Sequence, residues 1–392
     1  MKDLRLGNEN QNLAFKNFIP VEINKTTKKI NKTIIIIIFL IIISSISILL
    51  NLLNFIGNNN TNPESLDNTN ISEKLIHKSQ KVNDFLSDLN SILDKKNILL
   101  KEIMSKHTTF RLGGPAKYFI KPKTIEEIVK IINLCKKYNI QYFILGNGSN
   151  LLVSDDGYDG VIIHIHEDNF GNFEVIKNTE NNYTLKVGGG ILMKTLAIKA
   201  CLLSLEGLED IIDIPGTVGG GIIMNASFRG RGLRIPLSKV KVITPEGNII
   251  ELTKEECGLR HRWSILKDNK YLVIEASFNL VKGDKMIIQK TLTTNTMLRY
   301  KKQPMYFGSA GCFFAWNHSR HGGQYEKYKE LGIVGYKAGD AMIYTDNIAF
   351  IVNLGNAKSS EVYSIVTYIE KLMKDKYKIN TEREVIVIGS FI

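Results

Sequence analysis

Two glycine-rich segments, Leu145-Gly146-Asn147-Gly148-Ser149-Asn150 and Ile214-Pro215-Gly216-Thr217-Val218-Gly219-Gly220-Gly221, carry residue types suited to holding a phosphate anion. Glycine leaves backbone N–H groups uncovered by a Cβ and permits positive φ, so that successive amides can converge on one negative charge. The first segment follows the apolar run Tyr142–Leu145 and leads into a second, Leu151–Val153, instead of a helix. Leu151 also stands where the third glycine of a G-x-G-x-x-G pattern belongs, which argues against a Rossmann fingerprint. Taken singly, a G-x-G turn is ordinarily a strand connection. Three consecutive glycines shortly after a proline would be wasteful in such a turn, and the second segment therefore reads as backbone brought close to a ligand. The pair together reads as a cradle for a flavin-type dinucleotide.

Other chemistry is poorly served. The four cysteines lie more than fifty residues apart and form no C-x-x-C pair, which suggests neither a zinc knuckle nor a disulfide scaffold. His164 and His166 alternate on an expected strand, and His318 and His321 share a polar loop, but no third ligand is spaced near either pair, so no metal site is expected. The net charge of +12 rides on a composition rich in Lys, Asn and Ile. Without a basic stripe interleaved with aromatics it does not imply nucleic acid, and a basic cleft for phosphorylated small molecules accounts for it.

The elements that must position these loops divide a 392-residue chain into several parts. Residues 1–33 are basic, and residues 34–56 hold no charged side chain, enough at ~1.5 Å per helical residue to cross a ~30 Å hydrocarbon core. This stretch is expected to be a transmembrane helix, followed by a polar linker over residues 57–72. Lys25, Lys28, Lys29 and Lys32 before it, against Glu64, Asp67 and Glu73 after it, orient the N-terminus toward the cytoplasm and the rest of the chain outward. Helical periodicity is read over residues 73–103. Helix over 124–138 and strands at 118–120 and 142–145 then describe a small α/β unit, residues 73–160. Residues 161–282 read as short, mostly antiparallel strands with one helix over 192–203. Residues 283–392 read as a helix to about Leu298, a loop-rich middle, a helix over 361–376 and a strand over 385–388. The fold class expected is α+β.

A family resemblance follows from the ordered motifs. The string His107-Thr108-Thr109-Phe110-Arg111-Leu112-Gly113-Gly114-Pro115-Ala116 precedes the two glycine segments. Arg262-Trp263-Ser264-Ile265-Leu266-Lys267 is similar to an R-x-S-x-F-K segment, Gln303-Pro304 with Ser309-Ala310-Gly311-Cys312-Phe313-Phe314 to Q-P…S-A-G-[SC]-x-F, and Glu382-Arg383-Glu384-Val385 to E-P-E-V. In this order, over residues 85–392, they resemble the UDP-N-acetylenolpyruvoylglucosamine reductase family of peptidoglycan precursor synthesis.

The resemblance implies a vanillyl-alcohol-oxidase-type FAD-binding region in two parts and a C-terminal substrate domain. It implies NADPH as the source of hydride, FAD as its carrier and a UDP-sugar enolpyruvate as acceptor. Arg262 and Glu384 would stabilise the enolate-like charge and Cys312 would protonate the neighbouring carbon. Arg111, Gly113, Gly114, Gly146, Asn147, Gly148, Ser149, Asn150, Ile214, Pro215, Gly216, Thr217, Gly219, Gly220 and Asn225 would bind FAD. Those cofactors place the catalytic part in the cytoplasm, against the charge bias around the membrane segment, and a monomer is expected. The chain departs from the pattern at Asp213 (a glycine in the family), Arg229, His261, Ala315, Trp316-Asn317, Met342 and Tyr344, where the nucleotide of the substrate or NADPH should lie. Two alternatives stay open: a flavin oxidoreductase of the same superfamily with another substrate, and a membrane-tethered binding protein without turnover.

Overall fold

The computed structural model describes residues 68–315 and 324–391. The expected membrane segment at residues 34–56, its basic flank, most of the linker, and Trp316, Asn317, His318 and His321 lie outside the described residues. Among the described residues, no helix is long and apolar enough to cross a membrane. Residues 76–392 make up one compact unit that holds every element around the site.

The chain enters through α1 (Asn68–Ile92), which buries Phe85 and Leu89. The periodicity predicts a helix on to residue 103, but the helix stops at Ile92. The polar run Asp94-Lys95-Lys96-Asn97 turns the chain through a 3-10 turn into strand β1 (Ile98–Ile103). A paired strand edge outweighs helical spacing there, because β1 finds an antiparallel partner in β2 (Pro115–Ile120). Next come α2 (Ile125–Lys137), β3 (Tyr142–Leu145), β4 (Leu151–Val153) and β5 (Tyr158–His164). The sheet order is β1-β2-β5-β3, with β2 and β3 both parallel to β5.

Local chemistry explains α2. Thr124 caps it by accepting the Glu127 N–H at 3.2 Å, Glu126 and Glu127 sit in its first turn, and Lys136 and Lys137 in its last. Its apolar face, Ile128, Ile131, Ile132 and Cys135, is buried against the sheet and α1. Each such isoleucine contributes about 1.5–3 kcal/mol by leaving water. His164 ends β5, whereas His166, expected on the same strand, lies beyond it and caps α3 (Glu167–Phe170) by accepting the Asp168 N–H. His164 instead packs beside the rings of His107 and Phe119. Burial, reinforced by the neighbouring His166, His107 and Lys121, pushes it down to about 3, so it is neutral.

A second sheet follows, as the turn-rich texture implied. Strands β6 (Phe173–Lys177), β7 (Asn182–Gly188), α4 (Met193–Leu202), β8 (Leu205–Glu206), α5 (Val218–Ile223), β9 (Ser227–Phe228), β10 (Arg231–Gly232), β11 (Leu237–Ile243), β12 (Ile249–Thr253), α6 (Ile265–Asp268) and β13 (Leu272–Lys282) complete this part. The order β12-β11-β13-β7-β6 is antiparallel throughout, and β13 also takes β8. Its core, including Leu185, Val187, Leu196, Val240 and Phe278, packs α4 and α5 against the sheet.

The last part begins with α7 (Lys285–Lys302), whose N-cap Asp284 accepts the Met286 and Ile287 amides. The middle read as loop-rich contains α8 (Gln324–Glu330) and a three-stranded meander, β14 (Lys337–Ala338), β15 (Ala341–Ile343) and β16 (Ile351–Asn353). Strands of two or three residues are too short for an alternation pattern to reveal. Helix α9 (Ser359–Tyr377) covers the meander, and β17 (Ile386–Ile388) returns to pair in parallel with β4. That pairing places the chain's last motif beside its first glycine segment.

Candidate active site

The segment between β3 and β4 is an open cradle. Gly148 adopts φ +59°, and a Cβ there would collide with the His107 carbonyl. Among the described residues, the N–H groups of Gly146, Asn147, Gly148, Ser149 and Asn150 donate no hydrogen bond. The same five residues line a cavity of about 590 Å³, and their amides have no protein acceptor among the described residues. An anion fits there.

The second segment is built otherwise, which corrects its reading as a loop. Thr217 caps α5, its hydroxyl accepting the Gly220 N–H at 3.3 Å, and residues from Val218 onward are helical. The Val218 amide donates to Ile191, Gly219 to Gly189 and Gly221 to Thr217. None of these glycines has positive φ. Gly219 is small because a Cβ would lie 3.0 Å from the Gly189 carbonyl and 3.1 Å from that of Val273. The segment contributes Ile214, Pro215, Gly216, Thr217 and Gly220 to the cavity wall, and Asn147 ties the two segments by donating to the Pro215 carbonyl at 3.0 Å.

Arg262, Cys312 and Glu384, more than a hundred residues apart at the extremes, line the same cavity. Arg262 Nε lies 3.2 Å from Glu384 Oε1, and its Nη2 donates to the Ser227 carbonyl at 3.3 Å. The Arg262 backbone is left-handed, φ +53°, a strained state that the turn Arg260–Trp263 imposes. Asn225 holds that turn, donating from Nδ2 to the Arg260 carbonyl at 2.6 Å. Glu384 is carried by a bridge between Phe314 and Arg383 and by its own N–H on Phe313. Asn150 of the cradle donates to the Glu384 backbone carbonyl at 3.0 Å, which ties the cradle to the segment that carries the carboxylate. Burial pushes the Glu384 carboxyl up to about 6, with Arg262 and Lys267 opposing. Cys312, half-buried, forms an antiparallel backbone bridge with Phe350.

Of the expected cofactor residues, Arg111, the whole of 146–150, and Ile214, Pro215, Gly216, Thr217 and Gly220 reach the cavity. Gly113, Gly114, Gly219 and Asn225 do not line it. Gly113 (φ +122°) and Gly114 let the chain pass Val153 and Asp155, and Gly219 and Asn225 support other residues, as above. The sequence reading missed Arg299, which lines the cavity at 5% exposure with its guanidinium over the Phe228 ring. Its Nε has no hydrogen-bond partner among the described residues. Burial brings it down to about 10, opposed by Asp213, which leaves it charged at neutral pH. The signal was its position four residues before Gln303, just past the end expected for a helix that runs on to Lys302. Thr109, Gln303 and Phe307 also line the cavity.

Comparison with known proteins decides the family. A model described as FAD binding domain matches residues 116–253, and one for the C-terminal domain of UDP-N-acetylenolpyruvoylglucosamine reductase matches residues 303–388. The UDP-N-acetylenolpyruvoylglucosamine reductase of Lachnoclostridium phytofermentans is 34% identical over 307 residues, 78% of this chain and 98% of that protein. This chain belongs to the UDP-N-acetylenolpyruvoylglucosamine reductase family. The reductase of Alkaliphilus metalliredigens is 35% identical over 76% of this chain and 96% of its own length. The crystal structure of the reductase from Thermus caldophilus aligns with TM-score 0.61 and 28% identity, covering 74% of this chain and all of that one. Membership makes the chain an FAD-dependent oxidoreductase with a mixed α+β fold. The open cradle fits the group: an FAD pyrophosphate is the kind of anion that five unspent amides accept.

Proposed function

We propose that this chain reduces UDP-N-acetylenolpyruvoylglucosamine to UDP-N-acetylmuramate, with NADPH as reductant, in peptidoglycan precursor synthesis. The observation that carries this is the Arg262–Glu384 pair, joined through Asn150 to an open amide cradle and sharing its cavity with Cys312. FAD bound there would supply hydride transfer between NADPH and the enolpyruvyl carbon. The protein's residues manage charge and protons. Arg262 binds the substrate carboxylate, where negative charge collects once hydride has been added. Glu384, partly protonated near pH 6, donates a hydrogen bond to the same carboxylate. The Cys312 thiol holds the proton that completes the adjacent carbon. Residues 146–150 hold the pyrophosphate, with Thr217 and Gly220 flanking it.

Residues 73–160 and 161–282 would form the two FAD-binding subdomains and residues 283–392 the substrate domain around the meander; each of the first two carries most of one sheet, with β5 (Tyr158–His164) crossing the boundary between them. Purified protein should be yellow, bleach anaerobically with NADPH, and recover colour when UDP-N-acetylenolpyruvoylglucosamine is added. Bleaching without recovery would favour another acceptor. Tyr344 supports that second reading, since its ring faces Phe307 of the cavity where the family pattern has serine.

The uncharged stretch at residues 34–56 supports a tether that keeps a monomeric catalytic part at a membrane surface, on the cytoplasmic side where NADPH and nucleotide sugars are found. Removing residues 1–72 should move the protein from the membrane to the soluble fraction with its flavin retained. Unchanged fractionation would remove the tether.

A further inference from the structure

Asp213 stands where the family pattern calls for glycine, and its backbone keeps the left-handed conformation that glycine would suit, φ +56°. A carboxylate in that conformation carries steric strain, although Asp and Asn tolerate it better than other side chains. Both carboxylate oxygens are engaged. Lys194 Nζ, in the first turn of α4, lies 2.8 Å from Oδ1, and the Thr296 hydroxyl of α7 donates to Oδ2 at 2.7 Å. The Asp213 side chain is 7% exposed, so it is shielded from competing water.

The elements joined in this way are those that wall the cavity. Met193, beside Lys194, lines it and donates its N–H to the Gly216 carbonyl at 2.9 Å. Thr296 precedes Arg299 by three residues and so lies on nearly the same face of α7. Asn295 adds a second tie, donating to the Glu209 carbonyl and to Asp210 Oδ1, both at 3.2 Å. A glycine at position 213 would supply the backbone bend with neither link.

We propose that Asp213 is a positioning residue that clasps the second glycine segment to α4 and α7, and thereby fixes Arg299 and the Pro215–Thr217 backbone against an anionic dinucleotide. This rests on reading the cavity as the FAD site. Three full-length variants test it, Asp213→Gly, Asp213→Asn and Thr296→Val, by flavin-fluorescence titration of deflavinated protein, by steady-state kinetics and by thermal melting.

Asp213→Gly removes both the clasp and the strain, so its melting temperature should stay near that of the wild type. Its FAD dissociation constant should rise about tenfold, as expected for coupled neighbours, and KM should rise more than kcat falls. Asp213→Asn tolerates the same φ and keeps an acceptor and a donor for Lys194 and Thr296, so it should recover affinity to within about threefold. Thr296→Val should fall between the two. Wild-type FAD affinity and KM in Asp213→Gly overturn the clasp, as does an equal loss in the Gly and Asn variants. Wild-type protein that takes up no FAD overturns the reading of the cavity and the clasp with it.

Discussion

The two glycine segments share a composition and do opposite work. In residues 146–150 the amides go to no protein acceptor among the described residues, and Gly148, itself buried, takes a left-handed φ. In residues 216–221 the amides of Val218, Gly219 and Gly221 are consumed by Ile191, Gly189 and Thr217, and Gly219 and Gly221 are small so that a helix can press against β13 and α4. In the first, glycine at 148 is a conformational requirement, a positive φ beside the His107 carbonyl. In the second it is mainly a packing requirement imposed by the core. Composition cannot separate these cases, because a missing Cβ serves both.

The comparison is broken most severely at Gly148. Gly148→Val puts a β-branched residue at φ +59° and drives its Cβ into the His107 carbonyl, so flavin content at purification should fall close to zero. Gly219→Val should act through the fold, lowering the melting temperature or the soluble yield, while molecules that do fold keep their flavin. If Gly219→Val gives stable protein without flavin, the second segment belongs with the first.

How much of this was legible varies with the range of the cause. Thr124 and Asp284 mark helix starts by local capping chemistry, and α2 and α7 began within a residue or two of where pattern placed them. The three residues proposed to be catalytic were visible only through motif order, since nothing local to Arg262 shows that Glu384 will lie 3.2 Å away. The end of α1, the helical turn after Thr217 and the placing of Arg299 were illegible because partners distant in sequence decide them. β1 becomes a strand because β2 pairs with it, and α5 exists because Gly219 fits against Gly189 and Val273.

Cys312 sharpens the contrast from the substrate side, because it lies in the cavity of the cradle and would act only after hydride has moved. Cys312→Ala should leave NADPH-driven bleaching intact and slow recovery by substrate about 10²-fold in stopped-flow absorbance. Equal slowing of both phases would point to a damaged cavity instead.

Glu384 gives the next effect. Its carboxyl sits above the ordinary range, at about 6, so its contribution to stability is complete below the ordinary carboxylate pKa and is lost as pH rises through 6. The protonated donor disappears over the same interval. kcat/KM for the UDP-sugar should therefore fall as pH rises through about 6, and Glu384→Gln, a permanent donor, should be flat across it. A limb that persists in the Gln variant would assign the titration to another group.

The smallest expected effect lies at the junction of the two segments. Thr217 caps α5 through its hydroxyl, and the same hydroxyl fills the space beside Gly146, where a Cβ would approach it to 2.6 Å. Thr217→Val keeps the shape and deletes the cap, so stability should fall by about 1 kcal/mol, the usual cost of a lost N-cap. If the second segment only packs, flavin affinity should change by less than about twofold, because the amides of residues 146–150 are untouched. If affinity falls about tenfold while the melting temperature shifts only by the amount a lost cap explains, the start of α5 contributes its own N–H groups to the phosphate. The two segments would then divide the anion between them, and the contrast would hold for Gly219 and Gly221 but not for Thr217.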